Sequence, residues 1–149
     1  MILKGIVEYV CISEKKGIPK KTVDYIYLIE NFGIRGDAHA SPSTHRQVSL
    51  IAIESINKMR ENGIKIKDGG FAENIATSGI NLSTLKIGDR LLIGANAVLE
   101  VTQLGKECHH KCAIYYQAGY CIMPTEGIFA RVIKSGEVKK GDQIICEKD

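Results

Sequence analysis

The sequence is short of the features that mark several large classes of protein. No apolar run approaches the ~20 residues needed to cross a bilayer, so a membrane-spanning helix is not expected. The opening stretch is interrupted by Lys4 and Glu8 and lacks the apolar core of a secretory leader, which makes the cytoplasm the expected compartment. There is no long Lys/Arg run, and a net charge of +3 is too small to imply nucleic-acid binding by itself. Only three prolines accompany fifteen glycines, a balance that suits many tight turns and favours strands over a helical bundle. Five cysteines, an odd number, do not make a complete disulfide framework, and in a reducing compartment they are expected to be free, metal-bound or catalytic.

What is present fits one domain over residues 1–149, with 44% hydrophobic and 25% charged residues, as in an ordinary globular protein. Ile6–Ser13 reads as a strand apolar on both faces apart from Glu8, and Thr22–Glu30 as a second strand rich in β-branched and aromatic residues. Gly33–Arg46 has no apolar period and reads as a long loop, of the kind that is often functional. Ser49–Asn62 carries Leu50, Ile53, Ile56 and Met59 near helical spacing, with Ser49 expected to cap its start and Gly63 to end it. Phe71–Asn81 fits a helix or an extended segment. Arg90–Ile93, Ala97–Leu104, Phe129–Ile133 and Gln143–Cys146 read as strands, two of them entered through the Gly-Asp turns at 88–89 and 141–142.

The chemistry concentrates between Gly105 and Cys121, GKECHHKCAIYYQAGYC, which holds three of the cysteines and two of the four histidines. Cys108, one of His109 and His110, Cys112 and Cys121 can supply four soft ligands to zinc, although their spacing matches no common zinc pattern. A nucleophile or sulfur carrier needs only one exposed thiolate, which Lys106, Lys111 and the imidazoles would favour. Cys11 and Cys146 lie within apolar strands and read as small buried hydrophobes. In the Gly33–Arg46 loop, Arg35, His39, His45 and Arg46 can converge on a phosphate or carboxylate. The blander reading is a solvated loop in which Asp37 pairs with an arginine. Asn74 and Thr77 more often make turn or capping bonds than ligand contacts, and Arg131 more often lies on the solvated face of a strand.

Taken in order, GIRGDAHA, HRQVSLIAIESI, GGFAENIATSGINLSTLKIGDRLLIG, LEVTQLGKECHHKCAIYYQAGYCIMPTEGIFARV and SGEVKKGDQI cover almost the whole chain and resemble the MOSC domain family. The family takes its name from the C-terminal region of molybdenum cofactor sulfurases. The resemblance implies an α+β, strand-dominated fold: a barrel-like, mostly antiparallel sheet with a few helices. It implies a molybdenum-cofactor-associated domain in which Cys112 or Cys108 carries sulfur as a persulfide, making a sulfurtransferase-type activity an expectation, or in which Cys112 contacts the metal. It also implies that Arg35, Asp37, His39, Arg46, Asn74, Thr77, Lys106 and Arg131 hold the anionic molybdopterin cofactor. Cys112 follows a basic residue, as in the molybdenum-binding members, whereas Cys108 keeps the spacing of other bacterial members. The implied partners are the cofactor, a cysteine desulfurase or other sulfur donor, and a molybdoenzyme or molybdopterin-biosynthesis protein. The sulfurases' pyridoxal-phosphate domain has no counterpart in these residues. A molybdenum-dependent reductase of N-hydroxylated compounds, fed by external electron partners, and a non-catalytic zinc-stabilised module are the alternatives.

Overall fold

The computed structural model describes residues 1–105 and 126–148. Strand β1 (Ile2–Ile12) organises the sheet because both its edges are paired. On one edge its first half pairs antiparallel with β11 (Gln143–Glu147), and its last residues pair with the short β2 (Lys21–Val23). On the other edge it pairs with β6 (Ile75–Ser78), with a bulge at Glu8. The ring continues from β6 through β5 (Val48–Ala52), β9 (Ile128–Lys134), β8 (Ala97–Leu104) and β7 (Arg90–Ile93) back to β11. The result is a closed seven-stranded barrel, whose ring has no free edge strand. A second sheet of β10 (Gly136–Lys139), β3 (Tyr25–Ile29) and β4 (Gly33–Ile34) packs against it, and Ile26, Leu28, Ile34 and Val138 join the barrel's core.

The bulge explains why β1 is buried on both faces. Before it, Val7 points into the barrel; after it, Val10 points inward while Tyr9 and Cys11 turn outward. The outward pair meets Ile51, Ala76, Phe71 and the helix α1 (Ile53–Glu61), whose Ile56 and Met59 are buried in this second core. Alone among the ladders of the described residues, β5 and β6 run parallel, with α1 as the crossover between them.

Several expectations need correction, and β1 begins at Ile2 rather than at Ile6. The helix does not begin at Ser49: Val48–Ala52 is a strand with four consecutive buried residues, and Ala52 starts the helix without a side-chain cap. Leu50 fits either period, but a strand paired on both edges and covered on both faces takes a continuous apolar run. Thr22–Glu30 is two strands parted at Asp24, because its first part pairs with β1 and its second with β10. Gly33–Ile34, placed in the long loop, is the edge strand β4, and β10 lies where no strand was expected. The Gly63 helix end, the two Gly-Asp turns and the strands from Arg90 onward stand as read, within a residue or two at their ends.

The two turns are one structure used twice. In Lys86–Asp89 and Lys139–Asp142 the aspartate Oδ2 accepts the backbone N–H of the lysine three residues back, at 2.8 and 2.9 Å. In both, the glycine N–H bonds the carbonyl of a valine on the neighbouring strand, and that valine's N–H returns to the aspartate carbonyl.

Cys11 and Cys146 have no solvent exposure, as read, and burial pushes the Cys11 thiol up to about 12. Both are therefore expected to resist alkylation in the native protein at neutral pH and to react only on unfolding. Peptide mapping after iodoacetamide treatment, with and without denaturant, checks this. Native labelling of either residue would contradict the packing described.

Candidate functional site

Two loops meet at the barrel rim and leave a cleft of about 90 Å³ between them, lined by His39, Arg46, Ser49, Phe71, Ala72, Asn74 and Phe129. One loop joins β4 to β5 and carries His39 and Arg46. The other joins α1 to β6 and carries Phe71–Asn74.

The first loop is tied down by a buried ion pair. Lys20 Nζ lies 2.7 Å from Asp37 Oδ1, and both side chains are almost fully buried. The same ammonium reaches Ser13 Oγ at 3.2 Å and His39 Nδ1 at 3.0 Å. Asp37 also accepts the backbone N–H groups of Ser13 and His39. Asp37 thus pairs with a lysine from the preceding loop rather than with an arginine of its own. Arg46 is half-buried with its guanidinium 5.4 Å from the Phe129 ring centroid, and its Nε donates to Gln103 Oε1 at 2.9 Å. His45 Nε2 donates to the same oxygen at 2.7 Å, since a carbonyl oxygen only accepts. Thr102, the residue bulged out of the β8–β9 ladder, donates to the His45 carbonyl.

The second loop is folded around Glu73, which has no solvent exposure. Its carboxylate accepts Tyr9 O–H at 2.5 Å and the backbone N–H groups of Gly69 and Phe71 at 3.1 and 3.0 Å. Gly69 also accepts Lys20 N–H at its carbonyl, in a contact so close that a Cβ would sit 2.0 Å from the Lys20 carbonyl oxygen. Lys20 therefore joins both loops. Ala72 is held at φ +62, a left-handed conformation costly for any residue but glycine, and its carbonyl accepts Ser49 O–H. The Asn74 amide is spent internally: Oδ1 accepts from Ser49 N–H, and Nδ2 donates to the Cys11 carbonyl.

Of the residues expected at the site, His39, Arg46 and Asn74 line the cleft, and Asp37 stands behind His39. Arg35 is exposed and stacks on Tyr27 at 4.7 Å. Thr77 is fully buried in β6, where the alternation with Ile75 turns it into the barrel, and its hydroxyl has no partner among the described residues. Arg131 is on the solvated face and pairs with Glu100 at 2.9 Å. Lys106, Cys108, His109, His110, Lys111, Cys112 and Cys121 lie outside the described residues. Among the described residues no group of His, Cys, Asp and Glu is placed to hold a metal ion. Lys20 and Gln103 were missed as site-builders. Lys20 sits in a polar loop sequence that reads as solvated, and only the buried Asp37 opposite gives it meaning.

The undescribed stretch is anchored at this rim. Gly105 N–H bonds the Gly127 carbonyl at 2.7 Å, and the β8–β9 ladder runs up to the pairs Gln103–Phe129 and Leu104–Ile128. Gln103 and Phe129 are the two residues against which Arg46 rests. The cysteine-bearing residues thus leave and rejoin the barrel beside the cleft.

A closed β-barrel domain with a polar, aromatic-walled cleft at its rim is the class that fold and site define. The chain belongs to the MOSC domain family, whose sequence model matches residues 35–145. That family is associated with the molybdenum cofactor. Among solved structures it is similar to the YuaD protein of Bacillus subtilis, with a TM-score of 0.81 at 22% identity, covering 100% of this chain and 99% of that one. YiiM of Geobacillus stearothermophilus superposes with a TM-score of 0.70 at 16% identity, over 97% of this chain and 75% of its own. YiiM of Escherichia coli gives 0.66 at 18%, over 99% and 71%. At these identities the likeness shows the fold. A search of curated proteins finds no match. Among the described residues no helix is long and apolar enough to cross a membrane.

The Glu73 clamp yields a test with a defined sign. Tyr9→Phe leaves a buried carboxylate short of one donor and is expected to cost ~1–3 kcal/mol in urea unfolding. Burial pushes the Glu73 carboxyl above its ordinary range, against the pull of its three donors. A carboxyl raised in the folded state contributes fully below its unfolded value, ~4.3, and loses that contribution as pH rises through the folded value. Wild type should therefore lose stability relative to Glu73→Gln as pH rises from about 4 to 8; the opposite slope would mean that the donors outweigh burial. Relief of the backbone strain at Ala72 makes a second test. Ala72→Gly should raise stability by up to ~1 kcal/mol, the left-handed cost less glycine's added freedom when unfolded.

Proposed function

We propose that this MOSC domain binds the molybdenum cofactor at the rim cleft through an anionic group and carries sulfur on a cysteine of the adjoining stretch. The observation that carries the reading is the juxtaposition of an Arg46 guanidinium in an aromatic-walled cleft with the two anchor points of the segment that holds Cys108 and Cys112.

The residues present fit such a group at the level of one head group. Among the described residues the terminal nitrogens of Arg46 make no hydrogen bond beyond the one at Nε, and the space of about 90 Å³ is enough for one oxyanion and not for a whole cofactor. Phe71 and Phe129 supply flat apolar walls. Asn74, with its amide satisfied inside the protein, holds the wall in place. Bound here, the cofactor would supply the metal centre that accepts sulfur.

Sulfur loading needs no group beyond a thiolate and a donor. The Cys112 or Cys108 thiolate attacks the terminal sulfur of a persulfide on a cysteine desulfurase. A new S–S bond forms on this chain, the donor's S–S bond breaks, and the donor cysteine leaves as thiolate; the terminal sulfur's proton stays with it. The desulfurase supplies the oxidised sulfur, so the step balances.

Incubating the protein with a cysteine desulfurase and free cysteine, followed by intact mass measurement, is expected to add one sulfur atom that reductant removes. The gain should be lost in Cys112→Ser or Cys108→Ser, whichever is the carrier. No gain on wild type, or an equal gain in both single variants and in the double variant, would defeat the carrier reading. Molybdenum and pterin retained by wild type and lost by Arg46→Ala would support the cofactor half.

A further inference from the structure

The Gln103 side chain holds three groups with one amide. Its Oε1 accepts Arg46 Nε–H at 2.9 Å and His45 Nε2–H at 2.7 Å, and its Nε2 donates to the Gly105 carbonyl at 2.7 Å. These partners fix the amide's orientation. Turned over, it would set its NH2 against the Arg46 N–H, which only donates, and its oxygen against a carbonyl. The side chain reaches this place because of the bulge in β8. Leu99 and Val101 point into the barrel, and strict alternation would send Gln103 after them. The bulge at Thr102 shifts the register, so Val101 pairs with the inward Ala130 while Gln103 pairs with the outward Phe129. Gln103 therefore emerges beside the ring on which Arg46 stacks.

These contacts decide what Arg46 has left to give. A guanidinium grips an oxyanion with two parallel N–H groups, either through Nε and one Nη or through both Nη atoms. Gln103 occupies Nε and Phe129 covers one face, which leaves the edge with both Nη atoms. The acceptor at Nε is also uncharged. Arg60, Arg90 and Arg131 each pair with a carboxylate, whereas among the described residues no ion pair reaches Arg46. We propose that Gln103 is a positioning residue for the cleft's anion: it aims the two-Nη edge of Arg46 at the ligand and leaves the charge of the guanidinium intact. The proposal rests on the anion reading of the cleft and specifies why an amide stands here. A glutamate would orient the guanidinium as well, but would cancel the charge that the ligand needs. The Gly105 N–H is held by the Gly127 carbonyl, so the same amide also fixes Gly105 relative to Arg46.

Inorganic sulfate is the probe, titrated by calorimetry at about pH 8, where an ordinary histidine is neutral. Wild type is expected to bind it and Arg46→Ala to lose that binding. No binding by wild type, or equal binding by Arg46→Ala, overturns the anion reading and the proposal with it. Once that reading holds, two variants of Gln103 decide its role. Gln103→Met loses all three hydrogen bonds and adds no charge, and should weaken sulfate about three- to ten-fold. Gln103→Glu keeps an acceptor for Arg46 and His45 but adds a negative charge. It should bind roughly ten-fold more weakly than Gln103→Met at low ionic strength. A purely structural glutamine predicts the reverse order, because glutamate restores two of the three bonds. Sulfate binding by Gln103→Glu as tight as that of Gln103→Met, or tighter, therefore overturns the proposal. The Arg46 Nε–H resonance of the full-length protein, assigned by its absence in Arg46→Ala, gives a readout that needs no variant of Gln103. It should exchange with water more slowly than that of the exposed Arg35. Exchange as fast as at Arg35 overturns the proposal, whether or not the Gln103 variants fold.

Discussion

The amide of Asn74 sits where three strands part, and the rim of the barrel depends on how it is used. It accepts from Ser49 on β5 through Oδ1 and donates to Cys11 on β1 through Nδ2. Its backbone joins the same two neighbours, through N–H to Ser49 O and through its carbonyl to Cys11 N–H. Just before β6 begins, one residue thus continues both of that strand's ladders and fills the gap between them. Aspartate would place a charge where the Cys11 carbonyl needs a donor, and leucine would take a partner from the Ser49 N–H and from the Cys11 carbonyl in a dry layer. This position fixes where the second loop can leave β6, and so where the cleft wall stands.

Polar groups are buried at the rim and nearly absent from the barrel's interior, a division that follows from what each region must do. Inside, side chains from opposite strands meet, and apolar contacts suffice; the Thr77 hydroxyl is the exception, unpartnered among the described residues. At the rim the chain must turn without regular ladders, so its N–H groups need other acceptors. Glu73 and Asp37 supply them, one to each loop, and each carboxylate is balanced in its own way. Glu73 has a phenol and two N–H groups and no nearby cation on its oxygens; Asp37 has a full ammonium. Removing one partner of such a buried pair costs ~3–5 kcal/mol, far more than a surface bridge such as Arg131–Glu100 contributes. The geometry of the cleft is therefore set by the interactions hardest to break.

The strands from Arg90 onward were legible because alternation and a Gly-Asp turn mark each entry, and the structure shows the two turns to share every backbone bond that defines them. The helix was legible but its start was not. Ser49–Ala52 matches helical and strand periods alike, and only the pairing with β6 and β9 decides between them. Among site residues, Arg46 and His39 were readable as chemistry-bearing types in a loop. Lys20 was not, because a lysine in Glu14–Lys21 carries no mark of burial. Its role exists only once Ser13, Asp37 and His39 surround it, and those contacts are between residues distant in sequence. Arg35 and Arg131 show the converse: residue type and loop or strand position suggested a ligand contact, but each has a nearer partner in Tyr27 or Glu100.

The residues that flank the cysteine-bearing stretch lie where the barrel is already closed. The hairpin of β8 and β9 is closed at its base by the Gly105–Gly127 bond, and pairing continues without a break in direction from Leu104–Ile128 to Val98–Lys134. The ring is closed elsewhere, by β1 against β11, and the second core is built from β1, β5, β6 and α1. The strand pairings among the described residues are thus made without residues 106–125. The rim, by contrast, tolerates little, because Gln103 and Phe129 hold Arg46 and Glu73 holds the opposite wall.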